Sequence, residues 1–91
     1  MRKLVWRPSA DDQLDLLLRY IAERDERAAD RLEQRITEAL DVAKNMPFIA
    51  RPGRVAGTRE MVVHPNYILV YEFDDSILRV LRVLHARQQY P

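Results

Sequence analysis

Cysteine is absent from this chain of 91 residues, which excludes disulfide bonds and thiolate chemistry and leaves the redox compartment open. Glycine occurs only twice, and no apolar run approaches the roughly 20 residues needed to cross a bilayer. The N-terminal segment also lacks the apolar core of a signal peptide. We therefore expect a soluble protein in the cytoplasm, with no membrane partner.

Lysine is scarce, so the basic character of the chain depends on arginine. Residues 1–44 carry nine basic and ten acidic side chains, whereas residues 45–91 carry six basic and four acidic ones. The overall charge of +1 excludes a general polyanion binder, but the second half is locally cationic. Its basic residues are all arginines, whose planar guanidinium binds phosphate through two parallel hydrogen bonds. They are Arg51, Arg54, Arg59, Arg79, Arg82 and Arg87, and ordinary solvated arginines are the alternative for each.

The first half of the chain has the pattern of a strand followed by two helices. A short strand over residues 3–7 is ended by Pro8. Apolar residues at helical spacing predict a helix over residues 10–24, with Ser9 as its N-cap. A second helix is predicted from an N-cap at Asp25 to about Met46. The short connection between them implies an antiparallel helical hairpin.

The second half predicts a loop over residues 47–58 and three strands, 59–64, 67–73 and 77–85. Apolar residues make up 47% of the chain, enough for one modest core. We therefore predict a single α+β domain spanning 1–91. In it the helical hairpin packs on one face of a mainly antiparallel sheet.

The residues Pro65-Asn66 form a favourable turn, and a two-residue loop there sets the pairing of the flanking strands. This register predicts a polar and aromatic face, built from His64 opposite Tyr67, Val62 opposite Leu69, and Glu60 opposite Tyr71. The other, aliphatic face would be covered by the helices and contains Met61, Val63, Ile68 and Val70. The last turn has two or three residues, which leaves open whether Arg79 and His85, or Arg82, share the polar face.

Metal-free cleavage of RNA needs a proton acceptor, a proton donor and cations around the phosphate. His85 is the best acid or base because histidine titrates near neutrality. Arg87 lies roughly 6–7 Å further along an extended chain, and Arg59 roughly 10 Å away across two strands, so the three could flank one phosphodiester. Arg79 is too far along its strand and is interpreted as a structural ion pair.

Three short segments, Gly57-Thr58-Arg59-Glu60, Tyr67-Ile68-Leu69-Val70-Tyr71 and Arg82-Val83-Leu84-His85-Ala86-Arg87-Gln88, resemble the RelE/ParE superfamily of type II toxin–antitoxin toxins. The resemblance covers nearly the whole chain and implies the same strand–helix–helix–three-strand fold. It also implies growth inhibition, neutralised by a cognate antitoxin. The implied catalytic residues are Arg59, His85, Arg87 and, as a terminal tyrosine, Tyr90. RNA-binding roles are expected for Arg51, Arg54 and Arg82.

The superfamily contains two mechanisms, and both remain open at this point. One is a ribosome-dependent endonuclease that cleaves messenger RNA without a metal or other cofactor, and we place it slightly ahead. The other is a non-enzymatic poison of DNA gyrase, in which the counterpart of His85 has no chemical role. The lysine-rich RNA surface of ribosome-dependent members is missing here. An acidic antitoxin segment is expected to cover the polar face and the arginine loop at residues 51–59.

Overall fold

A computed structural model describes residues 1–91 and shows two helices on one face of a five-stranded sheet. The helices are α1 (Pro8–Ala22) and α2 (Glu26–Asn45), followed by a 3₁₀ turn, Pro47–Ile49. The strands are β1 (Lys3–Trp6), β2 (Arg51–Pro52), β3 (Arg59–His64), β4 (Tyr67–Phe73) and β5 (Ile77–His85). The sheet order is β1-β5-β4-β3-β2, in which only β1 and β5 run parallel. The predicted α+β architecture is confirmed.

The helix boundaries follow the prolines and one capping aspartate. α1 begins two residues earlier than predicted, because Pro8 occupies its first turn, where a missing N–H costs nothing. Ser9 therefore lies inside the helix and is not its N-cap, and the helix ends at Ala22 rather than at residue 24. Asp25 does cap α2, and its carboxylate accepts a hydrogen bond from the N–H of Ala28 at 3.1 Å.

A single main core lies between the helical hairpin and the sheet. Small residues on the helices allow close approach to the strands, and Ala10 and Ala43 are completely buried there. Leu4 and Trp6 of β1 pack against the edge of this core. Its largest members are Leu32, Ile36, Leu40, Leu69, Tyr71 and Leu78.

A β-bulge in β3 reverses half of the face assignment made from the sequence. His64 does pair with Tyr67 across the two-residue turn. One extra residue at Val63 then shifts the register, so that Val62 pairs with Ile68. The predicted pairs of Val62 with Leu69 and of Glu60 with Tyr71 are therefore wrong.

The shifted register exchanges the two faces of β4. Leu69 and Tyr71 are completely buried and belong to the main core under the helices. Ile68 and Val70 face the other way, towards what we call the outer face, because side chains alternate along a strand. Val70 joins a small second cluster there with Leu84 and Tyr90.

A second bulge, at Leu81, resolves the open question about β5. Val80 pairs with Tyr71 and Arg82 pairs with Val70, the residue next to Tyr71. Leu81 is therefore the extra residue of β5 and has no partner on β4. Arg79 and Arg82 consequently share the outer face, whereas Val80 belongs to the core. Arg79 forms the predicted ion pair, with Glu72 at 2.7 Å.

The turn between β4 and β5 is organised by Asp74. Its carboxylate accepts hydrogen bonds from the N–H groups of Ser76 and Ile77 and from the Ser76 hydroxyl. These bonds lower the pKa of Asp74.

Neither helix combines the length and the apolar character that crossing a lipid bilayer requires.

The bulge at Val63 makes a testable prediction about stability. Leu69 is completely buried, whereas Val62 is 56% exposed. Leu69→Ala should lower the free energy of unfolding by about 2–5 kcal/mol because it leaves a cavity. Val62→Ala should change it by less than about 0.5 kcal/mol, as expected for a surface position. Urea denaturation of both variants measures the difference, and equal losses would contradict the register.

Candidate functional site

The most unusual feature of the outer face is a buried carboxylate. Glu60 is only 3% exposed and is the one charged or polar residue among the buried ones. Its carboxylate forms ion pairs with Arg51 at 3.1 Å and Arg54 at 3.5 Å. It also accepts hydrogen bonds from the backbone N–H of Arg54 at 3.0 Å and from the Tyr90 hydroxyl. We call these four residues the Glu60 cluster.

The pKa values in the Glu60 cluster follow from its burial and its hydrogen bonds. Burial by itself raises the pKa of Glu60, but the bonds from Tyr90, Arg54 and Arg51 outweigh it and lower that pKa overall. The pKa of Tyr90 is raised, first by burial and then by the adjacent Glu60 carboxylate. Glu60 is therefore an ionised acceptor at neutral pH, and Tyr90 is a neutral phenol that donates to it.

Two arginines lie over the ring of Tyr90 and give the site its charge. The guanidinium carbon of Arg54 is 4.6 Å from the ring centroid, and that of Arg82 is 5.4 Å away. Arg54 also donates to the backbone carbonyl of Gln88 at 3.0 Å, which ties the 51–58 loop to the C-terminal tail. Arg82 makes no ion pair, so its charge is available to a partner.

Beside Tyr90 lies an open groove of about 440 Å³, which we call the Tyr90 groove. The N-terminal end of α1, which begins beside the bulge at Leu81, forms one side of this groove. The side-chain carbonyl of Gln13 there accepts a hydrogen bond from the Val83 N–H at 3.0 Å. The lining residues are Arg7, Ser9, Gln13, Val55, Thr58, Val70, Leu81, Arg82 and Tyr90.

The structure separates the predicted catalytic residues Arg59 and His85. Arg59 pairs with Tyr71 on one side of β4, and His85 pairs with Tyr67 on the other. The two positions are four residue steps apart on β4, or about 13 Å along the strand. Arg59 instead donates to the Ala50 carbonyl at 3.0 Å. The register therefore places Arg59 and His85 further apart than the roughly 10 Å expected from the sequence.

The surroundings of His85 also differ from the prediction. β5 ends at His85, and the chain turns, so that Arg87 does not continue along an extended strand. The Arg87 N–H donates to Nδ1 of His85 at 3.2 Å. His85 lies against the edge of the Tyr67 ring, with centroids 5.8 Å apart, and Tyr67 contacts His64 on its other side. His85 and Arg87 are exposed.

The candidate RNA-binding arginines divide into two kinds. Arg51 and Arg54 both neutralise the buried Glu60, whereas Arg82 is unpaired in the groove. Sequence reasoning missed Glu60 as the residue that holds them, and it missed Arg7 altogether. The sequence did contain a signal for Glu60, because it is the single acid in residues 45–71, a segment that also contains Arg51, Arg54 and Arg59.

Comparison with known proteins identifies the family. The profile of the family described as ParE toxin of type II toxin-antitoxin system, parDE, matches residues 4–90. The chain belongs to the ParE toxin family. It is therefore a toxin of the type II toxin–antitoxin class, and the RelE/ParE resemblance inferred from the sequence is confirmed.

Individual relatives agree with this assignment. A protein of Sinorhizobium fredii named as a candidate toxin, Y4kP, is 36% identical, with 99% of this chain and 94% of that protein covered. Toxin RelE2 of Caulobacter vibrioides is 32% identical, with coverages of 94% and 97%.

Solved structures share the fold. A chain of the chromosomal ParDE system of P. aeruginosa superposes with a TM-score of 0.78 at 19% identity, covering 93% of this chain and 96% of that one. A chain of the E. coli DinJ–YafQ toxin–antitoxin complex gives a TM-score of 0.65 at 17% identity, with coverages of 92% and 91%.

The Glu60 cluster predicts a specific dependence of stability on pH. Because folding lowers the pKa of Glu60, its contribution is present above the unfolded value of 4.5 and is lost as the pH falls through the folded value. The stability difference between the parent and Glu60→Gln should therefore shrink as the pH is lowered from neutral through 4.5 and below. Urea denaturation across this range measures it. Asp30→Asn, at an exposed aspartate without an ion pair, is the control and should show no comparable change.

Proposed function

We propose that residues 1–91 act as one toxin domain that arrests growth by binding DNA gyrase, without cleaving RNA itself. The observation that carries this choice is the separation of Arg59 from His85. A metal-free nuclease needs its proton-transfer group and its phosphate-binding cations around one phosphodiester. Here the strand register keeps the histidine and the arginine in different parts of the sheet.

The state of Tyr90 supports the same choice. A terminal tyrosine could replace histidine as the proton donor or acceptor in a nuclease. Its hydroxyl is instead bound to the buried Glu60, and its raised pKa opposes use as a base at neutral pH. The match to a ParE family profile adds further support. We therefore place the nuclease second, although the sequence alone put it first.

The Tyr90 groove is the surface that we assign to target binding. Arg82 in its lining and the adjacent Arg54 lie over the Tyr90 ring, and tyrosine and arginine are the residues that often dominate the energetics of protein interfaces. Arg82 is central, since it carries an unpaired charge, and Arg7 contributes a second one. No proton transfer is required of any residue in this mechanism.

An antitoxin is the second partner that we propose. The 51–59 loop carries three arginines, and an acidic segment could neutralise the exposed ones. Reversing the charge of Arg54 and Arg59, in variants that circular dichroism shows to be folded, should weaken this complex and make it less sensitive to salt. Titration of the purified partners at two salt concentrations measures both effects. An unchanged affinity and salt dependence would argue against this contact.

The choice between gyrase and RNA can be tested directly. We expect induction of the toxin to raise the number of double-strand DNA breaks while the ends of cellular messenger RNAs stay unchanged. Purified toxin should trap gyrase on cleaved plasmid DNA, so that linear plasmid molecules accumulate. It should not cleave messenger RNA on translating ribosomes. Codon-specific RNA ends without DNA breaks would favour the nuclease over gyrase binding. Normal growth under full induction of folded protein would remove both.

Substitutions should separate the two mechanisms independently. His85→Ala should leave growth arrest unchanged, because no proton transfer is required. In a nuclease, the same change should cost about 10²-fold or more in rate. Arg82→Glu should abolish arrest by reversing the free charge of the groove. Arg87→Glu is the matched control, since this arginine is exposed outside the groove. Circular dichroism checks that each variant is folded.

A further inference from the structure

The solvent-facing side of α2 carries a row of three unpaired arginines. Arg27, Arg31 and Arg35 are spaced four residues apart, so their side chains lie one above the other on the helix surface. All three are exposed, and none of them forms an ion pair. We call these residues the arginine row. Its charge is therefore available to another molecule.

The acidic residues of α2 lie mostly outside the arginine row. At about 100° per residue, the row covers a sector of about 80° on the side away from the buried Ile36. Asp30 and Glu33 are on another side, where they line a cavity between the helices together with residues of α1. Glu38 follows the C-terminal end of the row, and it accepts a hydrogen bond from Gln34 at 3.0 Å. The row is therefore a local concentration of positive charge in a chain whose net charge is only +1.

The arginine row is unfavourable for the helix by itself, but its geometry suits a polyanion. Like charges four residues apart repel each other and destabilise a helix. Each guanidinium can bind a phosphate through two parallel hydrogen bonds. Eight residues of helix cover about 12 Å, which is close to the roughly 12 Å width of the major groove of B-DNA. Arg27 and Arg35 can therefore reach phosphates on the two sides of that groove.

We propose that the arginine row binds the phosphate backbone of the DNA that gyrase holds. This inference rests on the proposed action on gyrase and adds DNA to it as a second contact. The Tyr90 groove lies on the outer face of the sheet, whereas α2 covers the opposite face. One toxin chain can therefore contact the enzyme through the groove and the DNA through the row, which holds the two in a fixed arrangement.

The composition of this surface favours DNA over an acidic protein as the occupant. Protein interfaces are organised around buried apolar and aromatic residues, and charges lie mainly at their rim. No large apolar side chain is exposed among residues 27–35, and the next one on α2 is Val42, about two turns beyond Arg35. Contacts to phosphates alone do not depend on the base sequence. A surface that offers cations without apolar anchors therefore suits the backbone of DNA.

The direct test measures binding of the purified toxin to a DNA duplex of random sequence by fluorescence anisotropy, without gyrase and at several salt concentrations. Three phosphate contacts contribute about −2.7 to the slope of log K against log salt. The row variant, Arg27→Gln/Arg31→Gln/Arg35→Gln, should therefore lose about 2.7 from this slope and bind at least tenfold more weakly at low salt.

A matched control removes the same number of charges elsewhere. The control variant, Lys3→Gln/Arg19→Gln/Arg87→Gln, changes three exposed positions outside α2. Its affinity for the duplex should stay within threefold of the parent's, because the arginine row is intact. Circular dichroism checks that both variants are folded.

The same two variants connect the arginine row to gyrase. In reactions with gyrase and plasmid DNA, the row variant should need at least tenfold more toxin than the control variant to give the same amount of linear plasmid. Equal requirements would overturn the proposal. A parent toxin that binds DNA through the row but yields no linear plasmid would instead contradict the action on gyrase and leave the DNA-binding surface standing.

NMR spectra of the parent chain keep the proposal testable if a variant fails to fold. Addition of duplex DNA should shift the amide signals of residues 27–35 and leave those around the Tyr90 groove unchanged. Shifts confined to the groove would overturn the proposal, and so would parental DNA affinity in the row variant. If that variant keeps its DNA affinity but binds the antitoxin more weakly, the arginine row belongs to the protein partner and not to DNA.

Discussion

The buried carboxylate of Glu60 holds together β2, the loop that follows it and the C-terminal tail, where Tyr90 lies 30 residues away in sequence. It neutralises Arg51 of β2, fixes the loop at Arg54 through both its backbone and its side chain, and accepts the Tyr90 hydroxyl of the tail. A buried charge is tolerated only when partners replace the water that it has lost. The Glu60 cluster therefore links β2, the 51–58 loop and the C-terminal tail on the outer face of the sheet.

The same carboxylate also separates two different surfaces. On one side, Tyr90 and its arginines form a polar groove at the N-terminal end of α1. On the other, Glu60 and Arg51 line a mainly apolar cavity of about 420 Å³ between α2 and the edge of the sheet. Arg51 and Arg54 share the Glu60 carboxylate as acceptor, so a change at one of these two surfaces can alter the other.

The two bulges decide which residues can act together. Each adds one residue to a strand and exchanges the faces for everything beyond it. The bulge at Val63 sends Tyr71 into the core, where its hydroxyl donates to the Pro47 carbonyl at 2.5 Å. The bulge at Leu81 brings Arg82 to the outer face beside Tyr90. Without them, the polar face would have been the one expected from simple alternation.

The sequence by itself determined the helices, the three long strands, the α+β class and the family. The elements depend on local signals such as apolar spacing, prolines, the cap at Asp25 and the Pro65-Asn66 turn, none of which needs knowledge of distant contacts. The family was inferred from the resemblance of three short segments to the RelE/ParE superfamily. Only the tertiary structure decided the faces of β4 and β5, the separation of Arg59 from His85, and the role of Glu60. A bulge is a one-residue change of register that depends on packing against neighbouring strands, and a buried ion cluster depends on segments 30 residues apart.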